Sequence, residues 1–328
     1  MKPSVLPALK EALQPTTIIE AERLSKRVGA SVTIATETFQ HTGSFKFRAA
    51  YNVAATVPQR QIVAASSGNF GQGLAAACAR LGKTCTIVMP ETSARVKIDA
   101  VREYGGTVDL IDVRKKSRAE RVRELALEQR DAYVASAYDD PLVIEGNATL
   151  GTELAKCGHV FDFIVAPIGG GGLTAGILTG LRAAGCQTPL VAAEPMLAND
   201  AARSLRAGRI IANETEPQTI ADGVRTVSVG QHNWAILREG LSRIIEVSEE
   251  QIKEAVRLLF SLVNLKSEPT GALSLAALLA EPEFFRERSV CCVVSGGNVD
   301  AELFRQILVS DFNAKAQSRE EEPGSMIV

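Results

Sequence analysis

The segment Gly169-Gly170-Gly171-Gly172-Leu173-Thr174-Ala175-Gly176 follows the apolar run Phe161–Ile168 and opens a helical pattern. Glycines at a strand-to-helix junction leave backbone N–H groups free to point at an anion, and the helix N-terminus adds partial positive charge. A phosphate is the guest this arrangement suits. The same residues also fit a dinucleotide fingerprint, Gly170-x-Gly172-x-x-Ala175, with Glu194 closing the next strand about 20 residues on. Taken alone, the segment therefore admits a nicotinamide-binding domain and an NAD-dependent dehydrogenase. It is not a nucleoside-triphosphate loop, because no Lys-Ser or Lys-Thr pair follows the glycines.

Three other segments narrow the choice. Thr42-Gly43-Ser44-Phe45-Lys46-Phe47-Arg48 sets one lysine after a glycine turn and between aromatic residues. Such surroundings disfavour the ammonium and lower its pKa from about 10.4, as a Schiff-base lysine requires. Ser66-Ser67-Gly68-Asn69-Phe70-Gly71-Gln72-Gly73 follows a strand and opens a helix. Its hydroxyls, amide and N–H groups suit a carboxylate, with a helix cap on a glycine turn as the plain alternative. Ser295-Gly296-Gly297-Asn298 ends the last strand in the same manner.

The elements that position these segments alternate. Strands are expected at Gln61–Ser66, Thr84–Met89, Thr107–Asp112 and Tyr133–Ala137, with helices Gly71–Leu81, Ser93–Tyr104 and Arg118–Gln129 between them. After Pro141 come strands Phe161–Ile168, Pro189–Glu194, Arg243–Val247 and Val290–Ser295, and helices Leu173–Ala184, Glu249–Leu262, Gly271–Leu279 and Asp300–Leu308. Strands apolar on both faces, alternating with helices, imply an α/β fold of two open parallel sheets. Ligands bind such sheets at the carboxyl ends of strands, where these motifs lie. The polar stretch 314–328 is expected to be a disordered tail.

The motifs TGSFKFR, SSGNFGQG, GGGGL, AAEP, IADGV, EPTGA and SGGNVD occur in one order along the chain. As an ordered set they resemble the fold-type II pyridoxal-phosphate enzymes of the tryptophan-synthase-β-like architecture, and closely the branch of serine racemase and serine/threonine ammonia-lyases. The resemblance runs from about Pro15 to Val309. It implies that Lys46 holds pyridoxal 5'-phosphate through a Schiff base and later removes the substrate α-proton. It implies that Gly169, Gly170, Gly171, Gly172 and Leu173 cradle the phosphate, that Asn69 meets the phenolic oxygen, and that Phe45 packs near the ring. Ser295 matches the residue facing the pyridine nitrogen. Ser66, Ser67, Gly68 and Asn69 match the α-carboxylate site, and Ser67 matches the proton donor opposite Lys46 in the racemases. Arg118 matches an arginine that pairs with an acidic side chain on a substrate, although it stands in the basic run Arg114–Arg123, most of which reads as a solvated helix face. Glu194, Asp200 and the carbonyl of Ala198 match the ligands of a divalent cation, Mg²⁺, Mn²⁺ or Ca²⁺, and oxygen-only ligation suits these ions.

The implied activity is elimination of water from a β-hydroxy-α-amino acid to give a 2-oxo acid and ammonia. L-threonine and L-serine lead as substrates, with L-threo-3-hydroxyaspartate behind them should Arg118 face the site; a serine or aspartate racemase on the same scaffold is the alternative. The resemblance further implies a homodimer and a small mobile domain, 53–139, between the parts of a large cofactor domain, 1–52 and 140–313. Phe70 stands where the family often has His, and Ala49-Ala50 where it often has Gly-Ala.

Composition agrees with a small-molecule enzyme. The 328 residues carry 36 Lys+Arg against 38 Asp+Glu, a net charge of −2, so no global field draws the chain to nucleic acid. No run approaches the roughly 20 apolar residues of a membrane span, and no export signal opens the chain. Cys78, Cys85, Cys157, Cys186, Cys291 and Cys292 show no CxxC pairing and read as reduced thiols of a cytoplasmic protein. His41, His159 and His232 form no ligand spacing; His41 lies close enough to Gly43 to line the site or to serve the fold.

Overall fold

The computed structural model describes Leu9 and residues 11–309 other than Ser67, Ala94 and Arg130. Ser67 and the tail 314–328 therefore lie outside the described residues. The chain builds two sheets. β1 (Thr17–Glu20), α1 (Glu22–Val28) and β2 (Ser31–Thr36) start the first, and α2 (Lys46–Thr56) leads out of it. The second sheet follows as β3 (Gln61–Ala65), α3 (Asn69–Arg80), β4 (Thr84–Pro90), α4 (Arg95–Glu103), β5 (Thr107–Ile111), α5 (Arg118–Glu128) and β6 (Ala132–Ala135). α6 (Pro141–Ala155) returns to the first sheet, which continues through β7 (Phe163–Pro167), α7 (Gly172–Ala183), β8 (Leu190–Pro195), α8 (Asp200–Ala207), α9 (Gln231–Gly240), β9 (Leu241–Val247), α10 (Glu249–Val263), α11 (Leu273–Ala280), α12 (Pro282–Phe285) and β10 (Ser289–Val294). A last helix covers 301–309.

The first sheet has the order β1-β2-β10-β7-β8-β9 and the second β5-β4-β3-β6. Every pairing is parallel except β1 with β2, a short antiparallel edge that the alternation of strands and helices does not announce. Burial on both faces explains the apolar strands: Val32, Ile34 and Ala35 of β2 and Val290 through Val294 of β10 are all nearly inaccessible. The four thiols Cys78, Cys85, Cys291 and Cys292 are buried and Cys157 and Cys186 half-buried, all six free, as the plain reading of the cysteines expects. Among the described residues no helix is long and apolar enough to cross a membrane.

The helix that carries Lys46 belongs to both halves. Phe47, Ala49, Ala50, Val53 and Ala54 of α2 sit in one core with Leu74 of α3 and with Ile62 and Ile87 of the second sheet, and the expected limit at 52/53 falls inside this helix. Arg48, fully buried, ties the same helix to the other side. Its guanidinium donates to both oxygens of Glu37 (2.7 and 2.9 Å) and of Glu153 (2.8 and 3.0 Å), to Thr149 Oγ1 and to Thr16 Oγ1. A buried arginine is tolerable only with such a complete set of acceptors. Its position two residues after Lys46 makes that set an anchor for the start of this helix.

Candidate active site

Three of the four sequence motifs follow the carboxyl ends of β3, β7 and β10, and Lys46 opens α2 beside them. An isolated antiparallel bridge between Ser44 and Gly296, and the bond from Phe45 N to the Ser295 carbonyl (3.0 Å), dock the lysine segment against the last motif. The cleft so formed has a volume of about 770 Å³ and is lined by Phe45, Lys46, Ser66, Asn69, Arg118 and Ser295 among others. A narrow recess, lined by Lys46, Tyr138, Gly169 through Leu173, Thr270 and Ser295, extends from it.

The glycine loop is built as an anion cradle. Its carbonyls are tied back: Gly170 O accepts from Asn233 Nδ2 (2.6 Å) and Gly230 N (3.0 Å), and Gly172 O from Asn147 Nδ2 (3.0 Å). That leaves the N–H groups of the loop and of the first turn of α7 to face the recess, where a helix N-terminus has no internal partners. Gly171 adopts a left-handed φ of 91°. A Cβ at Gly172 would come within 2.6 Å of the Tyr138 carbonyl oxygen, and one at Gly170 would enter the Tyr138 ring. Small residues are thus required by the floor beneath the loop, and Tyr138 is the floor.

Lys46 Nζ donates to the Ala137 carbonyl at 2.7 Å and lies 5.1 Å from the centre of the Phe45 ring and 5.9 Å from that of Phe70. Loss of water around it lowers its pKa from 10.5 to about 8, against the opposing pull of the Glu268 carboxylate. Phe70, where the family often has His, thus lowers the polarity around the amine. Glu268 is itself buried, and desolvation with the nearby charge of Asp222 pushes it up to about 8. Asn69 Nδ2 donates to both Glu268 oxygens (2.8 and 3.1 Å), while Asn69 Oδ1 accepts from Asn298 Nδ2 (2.8 Å). Both ends of the Asn69 amide are fixed by protein.

The carboxylate motif is partly committed to its own helix. Ser66 Oγ accepts from Gly71 N (3.0 Å) and Gly68 N (3.3 Å), so this hydroxyl caps α3 while lining the cleft. Arg118 stands at the first position of α5, where the Ser117–Glu120 capping box starts the helix, and it reaches the same cleft. His41 does not line it: its Nε2 meets the Ala12 carbonyl at 3.1 Å and its ring packs on Phe47, a structural role. The residues sequence reasoning passed over are Tyr138, Lys97 and Glu216, all lining the cleft or its recess, together with Asp222, Thr270 and Glu268, which entered only as parts of IADGV and EPTGA. Charge was the available signal, since Asp222 lies in IADGV and Glu268 in EPTGA.

Glu194 and Asp200 are brought together at the end of β8, both buried. Glu194 accepts from Ala202 N (2.6 Å) and Ala201 N (3.3 Å), and Asp200 Oδ1 from Asn213 Nδ2 (3.0 Å). Asp200 Oδ2 is buried without a hydrogen-bond partner. Desolvation raises Asp200 to about 7, against the opposing pull of its hydrogen bonds and of Arg203, and raises Glu194 well above the carboxylate range, where the charges of Asp200 and Glu246 add to it. Among the described residues no group of three or more His, Cys, Asp or Glu gathers around a common point.

Residues 9–296 match the family of pyridoxal-phosphate dependent enzymes. The chain belongs to that family. It is 38% identical over 297 residues to an L-threo-3-hydroxyaspartate ammonia-lyase from a Pseudomonas species, covering 89% of this chain and 92% of that one. It is 33% identical to the serine racemase of Mus musculus, over 89% and 88% of the two chains. Among solved structures it superposes on threonine deaminase isoform 2 of Solanum lycopersicum with a TM-score of 0.84 at 31% identity, covering 91% of this chain and 88% of the other. With that membership the chain is a pyridoxal-phosphate enzyme with a lysine in its cleft and a glycine loop beside it, and the nicotinamide alternative falls away.

Proposed function

We propose that the chain is an ammonia-lyase whose preferred substrate is a β-hydroxy-α-amino acid with a second carboxylate, L-threo-3-hydroxyaspartate. The observation that carries this choice is Arg118, which lines one cleft with Lys46 and is not a solvated face of the basic run. A planar guanidinium there suits a second carboxylate, which threonine and serine lack. Similarity to the Pseudomonas enzyme supports the same substrate class. Loss of water across Cα–Cβ leaves an enamine, and its hydrolysis consumes a water, so hydroxyaspartate gives oxaloacetate and ammonia with no net water.

Pyridoxal phosphate, when bound, supplies the electron sink that makes the α-proton removable. The residues present fit it: Gly169 through Leu173 would hold the phosphate, Lys46 the aldehyde carbon, Phe45 the ring face, Asn69 the phenolic oxygen and Ser295 the ring nitrogen. Lys46 Nζ, with its depressed pKa, is the group that takes the α-proton. Ser295 offers a neutral hydroxyl, which does not force a charge onto the ring nitrogen. Ser66 through Asn69 would hold the α-carboxylate, and Ser67 is the expected donor on the far face. The segment 53–139 moves as a lid that excludes water on closure.

The Glu194–Asp200 pair fits a divalent cation, with Asp200 Oδ2 as the donor that lacks a partner and Ala198 O as a further ligand. At 100 times its Kd, such an ion would stabilise the fold by about 2.7 kcal/mol, seen as a higher Tm in Mg²⁺ than in EDTA. No difference in Tm would remove the metal from this reading. We also infer a homodimer of the cytoplasm.

The test is 2-oxo acid release from L-threo-3-hydroxyaspartate, L-threonine, L-serine and D-serine with pyridoxal phosphate and Mg²⁺ present. The highest kcat/KM is expected for hydroxyaspartate, with equal oxaloacetate and ammonia. Faster turnover of threonine or serine would return the preference to the neutral amino acids. Inversion of serine or aspartate without oxo acid would make the chain a racemase.

A further inference from the structure

Besides Lys46, three cations among the described residues line the cleft: Lys97, Arg118 and Arg225. Lys97 forms a close pair with Asp222, and Arg225 donates its Nε to the Thr219 carbonyl at 2.8 Å. Arg118 is held differently. Its Nη2 lies 3.0 Å from Glu216 Oε2, and the two side chains are 35% and 49% exposed, the more open of the two ion pairs. Arg118 comes from α5 of the four-stranded half, whereas Glu216 comes from the irregular stretch between α8 and α9 of the six-stranded half. The pair therefore spans the cleft and occupies the guanidinium that, on the proposed reading, a second substrate carboxylate would seek.

We propose that Glu216 is a specificity residue: it holds Arg118 as an internal carboxylate that a dicarboxylic amino acid displaces and a monocarboxylic one leaves in place. The proposal rests on the reading of Arg118 as a substrate contact. Glu216 is half exposed, so once displaced it is solvated rather than stranded, and the exchange of one carboxylate for another on Arg118 costs little. A substrate without the second carboxylate binds beneath an intact pair. Exposed pairs of this kind are worth up to about 1 kcal/mol, equivalent to about a fivefold change in binding. Removing Glu216 should therefore raise the affinity for dicarboxylic amino acids by about that factor.

L-aspartate and L-alanine differ by one carboxylate, and neither has a β-hydroxyl to eliminate. Their Kd values for the holoenzyme, read from the change in absorption of the bound cofactor, report the recognition step apart from turnover. Glu216→Gln and Glu216→Ala are expected to raise the preference for aspartate over alanine about three- to fivefold, and Arg118→Gln to abolish it. A preference unchanged within twofold in both Glu216 variants overturns the proposal. So does a preference lost in Arg225→Gln but kept in Arg118→Gln. Should the wild type release no oxaloacetate from hydroxyaspartate while the Glu216 variants shift the preference as stated, the proposed reaction fails and the role of Glu216 stands.

Discussion

The pKa of Lys46 makes a quantitative claim about how this protein captures its cofactor. Only a neutral amine condenses with an aldehyde. At pH 7 a lysine with a pKa of about 8 is neutral in about one molecule in eleven, whereas an ordinary lysine near 10.5 is neutral in about one in three thousand. Burial beside Phe45 and Phe70 therefore enriches the reactive form about 300-fold. The rate at which apoenzyme recombines with pyridoxal phosphate, divided by the rate of a small free amine of ordinary pKa under the same conditions to remove the aldehyde's own titration, reports the lysine. The apoenzyme rate itself should rise about tenfold between pH 7 and 9 and level off above about 9. Glu268 faces the amine and also titrates at about 8, with Asp222 and Lys97 behind it, so the midpoint belongs to the pair rather than to either group. Its charge holds the Lys46 pKa up. Glu268→Gln removes that charge, disfavours the ammonium and must move the midpoint below that of the wild type. A wild-type rate still climbing at pH 10, or a midpoint that rises in Glu268→Gln, would refute this account of the lysine.

Two further outcomes follow from the packing. Gly170→Ala and Gly172→Ala each drive a methyl into Tyr138 and should weaken cofactor binding about 10- to 100-fold, the effect of about 1–3 kcal/mol of overpacking, as measured by equilibrium dialysis. Tyr138→Ala should relieve Gly170→Ala, whose clash is with the ring, and not Gly172→Ala, whose clash is with the carbonyl; equal rescue of both would show that the floor is not what selects glycine. Arg48→Met strands the buried Glu37 and leaves the half-buried Glu153 without its cation, and should cost about 3–5 kcal/mol of unfolding free energy, with a smaller cost for Arg48→Lys; a loss below about 1 kcal/mol in denaturant titration would show the cluster is not an anchor.

That the glycine loop, Lys46 and the loop after β3 meet was legible because a parallel sheet fixes where strand ends go. β7 and β10 are parallel neighbours in one sheet and β3 lies in the all-parallel second sheet, and the residues after all three line one cleft and its recess. Glycine and serine runs at strand ends are local signals of that shared end. The expected strand and helix limits in both sheets stand within a few residues of those observed, for the same reason: full burial makes each strand a short apolar block. The antiparallel β1 edge, the buried strand β2 and helices α1, α2, α6, α8, α9 and α12 were not among the expected elements. The partners across the cleft were harder to see. Glu216 and Asp222 come from a stretch with little regular structure, where no period ties a charge to a face, and their partners lie about 100 residues away in sequence, as the separations of 98 and 125 between paired residues show.

Arg118 is the instructive case, because its sequence neighbours argue for the opposite reading. Arg114 pairs with Asp112 in solvent, and Arg121 spreads over Asp109, Glu124 and Glu128, so most of the basic run is the solvated face that composition suggests. What separates Arg118 is where the helix begins. Ser117 Oγ accepts from Glu120 N and Glu120 returns a carboxylate to Ser117 N, which makes Arg118 the first helical residue. Each residue advances about 100° around a helix, so a start one residue later would have turned this side chain off the cleft. The pattern Ser-x-x-Glu at 117–120 was readable in the sequence as a capping box, and with it the helix start, though not the cleft that the start aims at. The direction of Arg118, and with it the proposed choice between a neutral and an acidic substrate, thus depends on a cap in which Arg118 itself takes no part. Should Arg118 meet the substrate as proposed, moving that cap would change substrate preference without altering Arg118.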